Sequence, residues 1–180
     1  MIPLIVFLLA AAEPAGAQIA PMKVPVSVRT ADRVSNGSMT SLEKRFNERL
    51  STLFDGNDPL DLLGNTRGVY LEGYGAVFTA EVSLVVTPAI TPFRARITKE
   101  VADGVRQKKI QRMPVLQTAM KEMLRNMGAT FIPVPDEPQM VLVVRFYYEP
   151  WEDMNGMPSQ IIMKASRTNA MKGDVQVEVQ

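Results

Sequence analysis

The chain contains neither histidine nor cysteine. The missing histidine removes the Ser-His-Asp triad, the Cys-His pair, the histidine general base and the usual zinc ligand sets. What remains open to catalysis is a carboxylate pair, a Ser-Lys arrangement, or a Tyr or Lys base. The missing cysteine removes disulfides, so in an oxidising compartment stability rests on packing alone. It also removes any lipidated cysteine behind an export leader. Charge of one sign is lacking as well: 20 basic residues stand against 19 acidic ones. A balance so near neutral argues against bulk nucleic-acid binding.

Long apolar runs are scarce too. The one conspicuous run is Ile2 to Ala12, IPLIVFLLAAA, followed by Glu13-Pro14 and then Ala15-Gly16-Ala17 ahead of Gln18. It is too short to span a bilayer, which needs about 20 apolar residues. A short apolar core, a helix-breaking proline and an A-x-A triplet read as a secretory signal peptide, residues 1–17, cleaved after Ala17. Its n-region carries no Lys or Arg. The competing reading, a buried N-terminal helix, conflicts with Glu13-Pro14, which would break it. The expectation is an exported protein, periplasmic or extracellular and soluble after cleavage.

Cleavage leaves about 163 residues, which suits one domain able to bury roughly 70% of its unfolded surface. Residues 18–37 lack a clear hydrophobic period and read as an extended arm. Residues 38–180 form the domain. Thr40-Ser41-Leu42-Glu43 fits a capping box, and Leu42, Phe46, Leu50, Leu53 and Phe54 follow as one helical stripe ending at Gly56. Residues 55–67 read as loop. Val69 to Leu71 and Ala76 to Val86 read as strands around a Gly73-Tyr74-Gly75 turn, with Phe78, Ala80, Val82, Leu84 and Val86 on one face.

Residues 95–127 read as helical in two pieces, with Pro114 either opening a new helix or kinking a continuous one. Ile97, Val101, Val105 and Ile110 mark the first. Val115, Leu116, Ala119, Met120, Met123, Leu124 and Met127 mark the second, capped by Gly128. Met140 to Tyr148, Ile161 to Arg167 and Val175 to Val179 read as strands, the last at an edge. Strands joined by turns pair antiparallel, and the helices then cover one face. The expected fold is α+β: a two-layer sandwich with a mainly antiparallel sheet of four to six strands and two or three helices on one face.

Candidate sites are each weighed against a plainer role. Ser41-Leu42-Glu43-Lys44 matches S-x-x-K, which can set a Ser nucleophile one turn from a Lys base. The partner motifs are missing, and the capping box explains the segment. Asp55-Gly56-Asn57-Asp58 with Asp61 loosely resembles a calcium loop but lacks the central Gly and the distal Glu. Met154 and Met157 have the M-x-x-M spacing of Cu(I) carriers. A methionine stripe on a helix is, however, ordinarily adaptable core. No cofactor and no metal are expected.

Two clusters remain. Arg94, Arg96, Lys99, Arg106, Lys108, Lys109 and Arg112 stand against only Glu100 and Asp103, a local charge of +5. Such a segment is either the solvated face of a helix or a contact for an anionic surface or acidic partner. Tyr147-Tyr148-Glu149-Pro150-Trp151-Glu152-Asp153 holds the one Trp of the chain at a strand end. Tyr147 and Trp151 there form an aromatic patch, and Glu149, Glu152 and Asp153 could act as acid and base on a saccharide. The same residues could equally close the core. The favoured reading is a non-catalytic binding or assembly module of the cell envelope; the alternative is a carboxylate-dependent envelope hydrolase. A pocket of converging carboxylates would mark the enzyme, and a flat apolar patch with a charged rim the module.

Overall fold

The computed structural model describes residues 35–54, 56–87, 96–130 and 138–180. The expected signal peptide, nearly all of the expected arm, Asp55 and Arg94 lie outside the described residues.

The first helix, α1, spans Asn36–Ser51. It starts earlier than the capping box implies, because Ser35 supplies the cap: its Oγ accepts from the Ser38 N–H at 3.1 Å. Glu43 therefore does not reach back to Thr40. Its Oε1 instead accepts from the Gly68 N–H at 2.7 Å, tying the helix to the sheet. Met39, Leu42, Phe46 and Leu50 form the buried stripe, and the Phe46 ring meets Phe78 edge-on at 5.0 Å.

The strands are β1 (Asp61–Leu62), β2 (Arg67–Leu71), β3 (Gly75–Ser83), β4 (Gln139–Phe146), β5 (Gln160–Ser166) and β6 (Gln176–Val179). β1 and β2 both pair antiparallel with the same side of β3, followed by β4, β5 and β6. The segment read as loop thus contributes the two-residue β1. Only β3 and β4 are parallel, because the chain between them crosses back through a long helix rather than a turn. The sheet is otherwise antiparallel, and helices pack on it in an α+β fold.

That crossover helix, α2, runs unbroken over Lys99–Thr130 with Pro114 inside it. An interior proline costs roughly 3 kcal/mol. Of the two expected readings, the continuous helix holds and the fresh start at Pro114 does not, because one buried stripe continues through the proline: Val105, Lys109, Arg112, Leu116, Met120, Met123 and Met127. Packing on both sides holds the axis. Three residues of the expected apolar stripes, Val101, Ile110 and Val115, are instead 43%, 48% and 45% exposed. Gly128 is not a cap. It sits inside the last turn, where a Cβ would lie 3.3 Å from Met171 Cγ, and its carbonyl accepts from Arg167 Nε at 3.0 Å. The partner there is α3, Arg167–Lys172, capped by Ser166 and closed by Gly173 at φ 83°. Both signals are present in the sequence, hidden by the strand pattern that runs into them.

Phe78, Ala80, Val82, Leu142, Val144, Ile161 and Met163 face the helices and join the helical stripes in one core. Val86 does not extend the inner face of β3, which ends at Ser83, and is 56% exposed. The start of β3 requires its glycine. Gly75 has φ 138°, and a Cβ there would lie 1.9 Å from the Gln139 carbonyl oxygen of β4.

Candidate functional site

Val105 and Leu116 of α2 both face the core. Lys109 and Arg112 lie four and seven residues beyond Val105, so the helical period turns both inward. Their side chains are 1% and 9% exposed. Lys109 Nζ donates to Glu152 Oε1 at 2.8 Å and to the Tyr147 carbonyl at 3.2 Å, and it lies 4.6 Å from the Tyr148 ring centroid. Arg112 donates to the carbonyls of Leu84 at 2.5 Å and Asp58 at 2.6 Å, pairs with the Asp58 carboxylate at 2.5 Å, and stacks over Phe54 at 4.3 Å.

Two of the seven residues of the expected basic face, Lys109 and Arg112, are corrected accordingly. Lys109 and Arg112 cannot touch a surface, because both are spent holding loops onto the helix. Arg106 pairs with Asp153 at 3.7 Å and donates to the Asn155 carbonyl at 2.5 Å. Lys108 pairs with Asp58, and Lys99 pairs with Asp103 at 2.9 Å. Arg96 is exposed, and Arg94 lies outside the described residues. The chain's near-neutral balance recurs locally, since most of these cations meet a carboxylate. The hydrogen bond from Lys108, joined by the charge of Arg112, holds the Asp58 carboxyl below its usual value against a smaller opposing effect of desolvation. Asp58 thereby joins two cations of α2, Lys108 and Arg112.

The aromatic and acidic segment receives these contacts. Both oxygens of Glu152 are engaged. Oε1 accepts from Lys109 and from the Glu149 N–H at 2.9 Å, and Oε2 lies 2.7 Å from Lys109 Nζ. Trp151 is half-buried and packs against the core. Tyr148 donates its hydroxyl to the Pro158 carbonyl at 2.6 Å. Burial first, and the Glu152 charge second, push its phenol up to about 12. Tyr147 is 39% exposed.

The three candidate carboxylates do not converge. Glu149 shares a shallow cavity of about 420 Å³ with Tyr147 and Asp61, while Glu152 and Asp153 stay with their cations outside its lining. Ser41 and Lys44 are exposed on α1, and Lys44 leans towards Glu48 at 3.9 Å. The Met154 carbonyl accepts from the Met157 N–H at 2.9 Å, which closes a turn. Among the described residues no three Asp or Glu side chains gather as metal ligands, and no helix is long and apolar enough to cross a membrane.

The sheet face opposite the helices was not singled out from sequence. Register places Val69, Val77 and Val141 in one row across β2, β3 and β4, with Lys164 of β5 next in line. The adjoining row runs Arg67, Thr79, Val143, Ile162 and Glu178 from β2 to β6. These residues alternate with the core-facing ones, so they lie on the other side of the sheet. Val69 is 51% exposed and Leu71 46%, Val141 is buried at 7%, and Val77, Val143 and Ile162 are half-buried. Arg67, Glu81, Arg145, Lys164 and Glu178 surround this aliphatic strip on the same face. Comparison with known protein families, curated proteins and solved structures returns no match for the chain.

Proposed function

We propose that the chain is a non-catalytic binding or assembly module, exported to the cell envelope, that docks a partner on the open face of its sheet. The observation carrying this reading is the aliphatic strip of Val69, Val77, Val143 and Ile162, seated around the buried Val141, inside a rim of both charge signs. A contiguous apolar patch rimmed by polar groups is the usual mark of an interaction surface. The strands beneath it are held rigidly from behind by the helical layer, so the face is organised before a partner arrives. The export part of the proposal rests on the leader-like run ending at Ala17.

Site-specific photo-crosslinking in cells tests the reading. A crosslinker placed at Val69 or Ile162 should give one discrete adduct, which Val143→Glu abolishes. The same crosslinker at Lys121 or Arg125, exposed on α2, should give none. Equal adducts from both faces, or none from the open face, would remove the support. Mass spectrometry of the recovered chain should find Gln18 at its N-terminus; recovery of intact Met1 would refute export.

A further inference from the structure

The two edges of the sheet are treated differently. At one edge, β1 and β2 are two short segments separated by residues 63–66, and the Glu43 carboxylate caps the Gly68 N–H. A broken strand with a side chain on its free donor is a guarded edge. At the other edge, β6 pairs with β5 alone among the described residues, and all four of its residues are exposed. It contains no proline, and among the described residues no side chain caps its outer edge.

The hydrogen-bond pattern fixes which groups of β6 are free. Gln160 and Gln180 exchange both backbone bonds at 3.1 Å. Alternation then makes Ile162–Glu178 and Lys164–Gln176 the bonded pairs of the β5–β6 ladder. Val177 and Val179 fall between them, so their N–H and C=O groups point away from β5. Val177 stands opposite Met163 and Val179 opposite Ile161, which places both side chains on the helix side. There they are 39% and 54% exposed, past the reach of the helices.

The sequence at this edge reads Val175-Gln176-Val177-Glu178-Val179, nearly a palindrome about Val177. We infer that β6 pairs antiparallel with β6 of a second copy of this chain, about a two-fold axis at Val177, so that the two sheets become one. In that register Val177 opposes Val177 of the second copy and Val175 opposes Val179, an all-valine ladder on the helix side. Gln176 opposes Glu178 on the open side, an amide against a carboxylate, with no like charges facing. Lys164 already bridges Glu178 at 2.6 Å, which leaves that carboxylate partly neutralised. With Val175 joining β6 in the pairing, the outward groups of Val175, Val177 and Val179 supply about six backbone hydrogen bonds between copies. A self-complementary strand favours a second copy over a foreign one, because a two-fold interface requires the same patch to fit itself. This pairing is independent of the open-face reading and leaves that face free on both copies.

One strand pair buries less than the roughly 1,600 Å² of a standard interface, so exchange between monomer and dimer is expected between about 1 µM and 1 mM. Sedimentation equilibrium of the purified chain over that range should show the mass doubling. Val177→Pro removes only an outward-facing N–H and spares the β5 ladder, so it should stay monomeric at 1 mM, a roughly hundredfold or greater weakening, with native circular dichroism. Val177→Lys is the second variant, should the proline disturb folding.

Cysteine substitution reads the register directly, since the chain has no other thiol. Two copies of Val177→Cys should oxidise to a covalent dimer, their Cα atoms being about 5.5 Å apart. Two copies of Val179→Cys should not, being about 14 Å apart. A wild-type chain that stays monomeric at 1 mM would overturn the inference. So would a Val179→Cys dimer forming as readily as the Val177→Cys dimer, or a dimer abolished by Val143→Glu and untouched by Val177→Lys.

Discussion

The Lys109 ammonium and the Glu152 carboxylate meet at 2.7 Å, with side chains 1% and 5% exposed, although 43 residues separate them in the chain. Helix α2 thereby holds the segment that leaves β4. Arg112 does the same for the turn after α1 and for the end of β3. Two cations in one helical stripe thus fix loops at one end of the sheet.

Removing one partner of the first pair should be costly. Lys109→Met strands the Glu152 carboxylate and the Tyr147 carbonyl, and a broken buried pair costs about 3–5 kcal/mol. Lys109→Met with Glu152→Leu should cost less than the sum of the single losses, because neither charge is then left buried alone. Urea unfolding measures both. Trp151, the only Trp, lies next to Glu152, so its emission should shift to the red in Lys109→Met as the segment loosens. Additive losses and unchanged emission would mean that the pair does not hold the segment.

Asp58 should give stability a dependence on acid pH. Its carboxyl titrates below its usual value of 3.8 because Lys108 and Arg112 favour the charged form. The folded state therefore gains stability that is present above pH 3.8 and lost as pH falls through the lowered value. Asp58→Asn should be less stable than wild type at neutral pH. The difference should shrink below pH 3.8, as followed by thermal melting across an acid series.

Tyr148 should act at the opposite end of the scale. Burial and the Glu152 charge raise its phenol to about 12 from 10.0. The neutral phenol is favoured by folding, so its contribution is intact below pH 10 and lost as pH rises towards 12. Tyr148→Phe should cost about 1 kcal/mol at neutral pH through the lost bond to the Pro158 carbonyl. It should also flatten the alkaline decline between pH 10 and 12. Denaturant unfolding at stepped alkaline pH checks both, and parallel declines for the two proteins would refute the assignment.

Local pattern alone determined much of the architecture. The alternation of Phe78, Ala80 and Val82, the stripe of Leu42, Phe46 and Leu50, and the run of methionines towards Met127 each carry their period within a few residues. They therefore announce a strand, a helix and a core face without help from the rest of the chain. The absence of histidine and cysteine likewise limited the chemistry before any fold was known. Tertiary structure decided the rest. Pro114 stays inside one helix because a core stripe on both sides outweighs its local cost. Lys109 and Arg112 turn inward because partners from distant segments, Glu152 and Asp58, are there to compensate them; nothing within a helical turn reveals that pairing. The open aliphatic face exists only once register aligns Val69, Val77 and Val141 across three strands. Periodicity is a property of neighbours in sequence, whereas charge compensation and strand register are properties of neighbours in space.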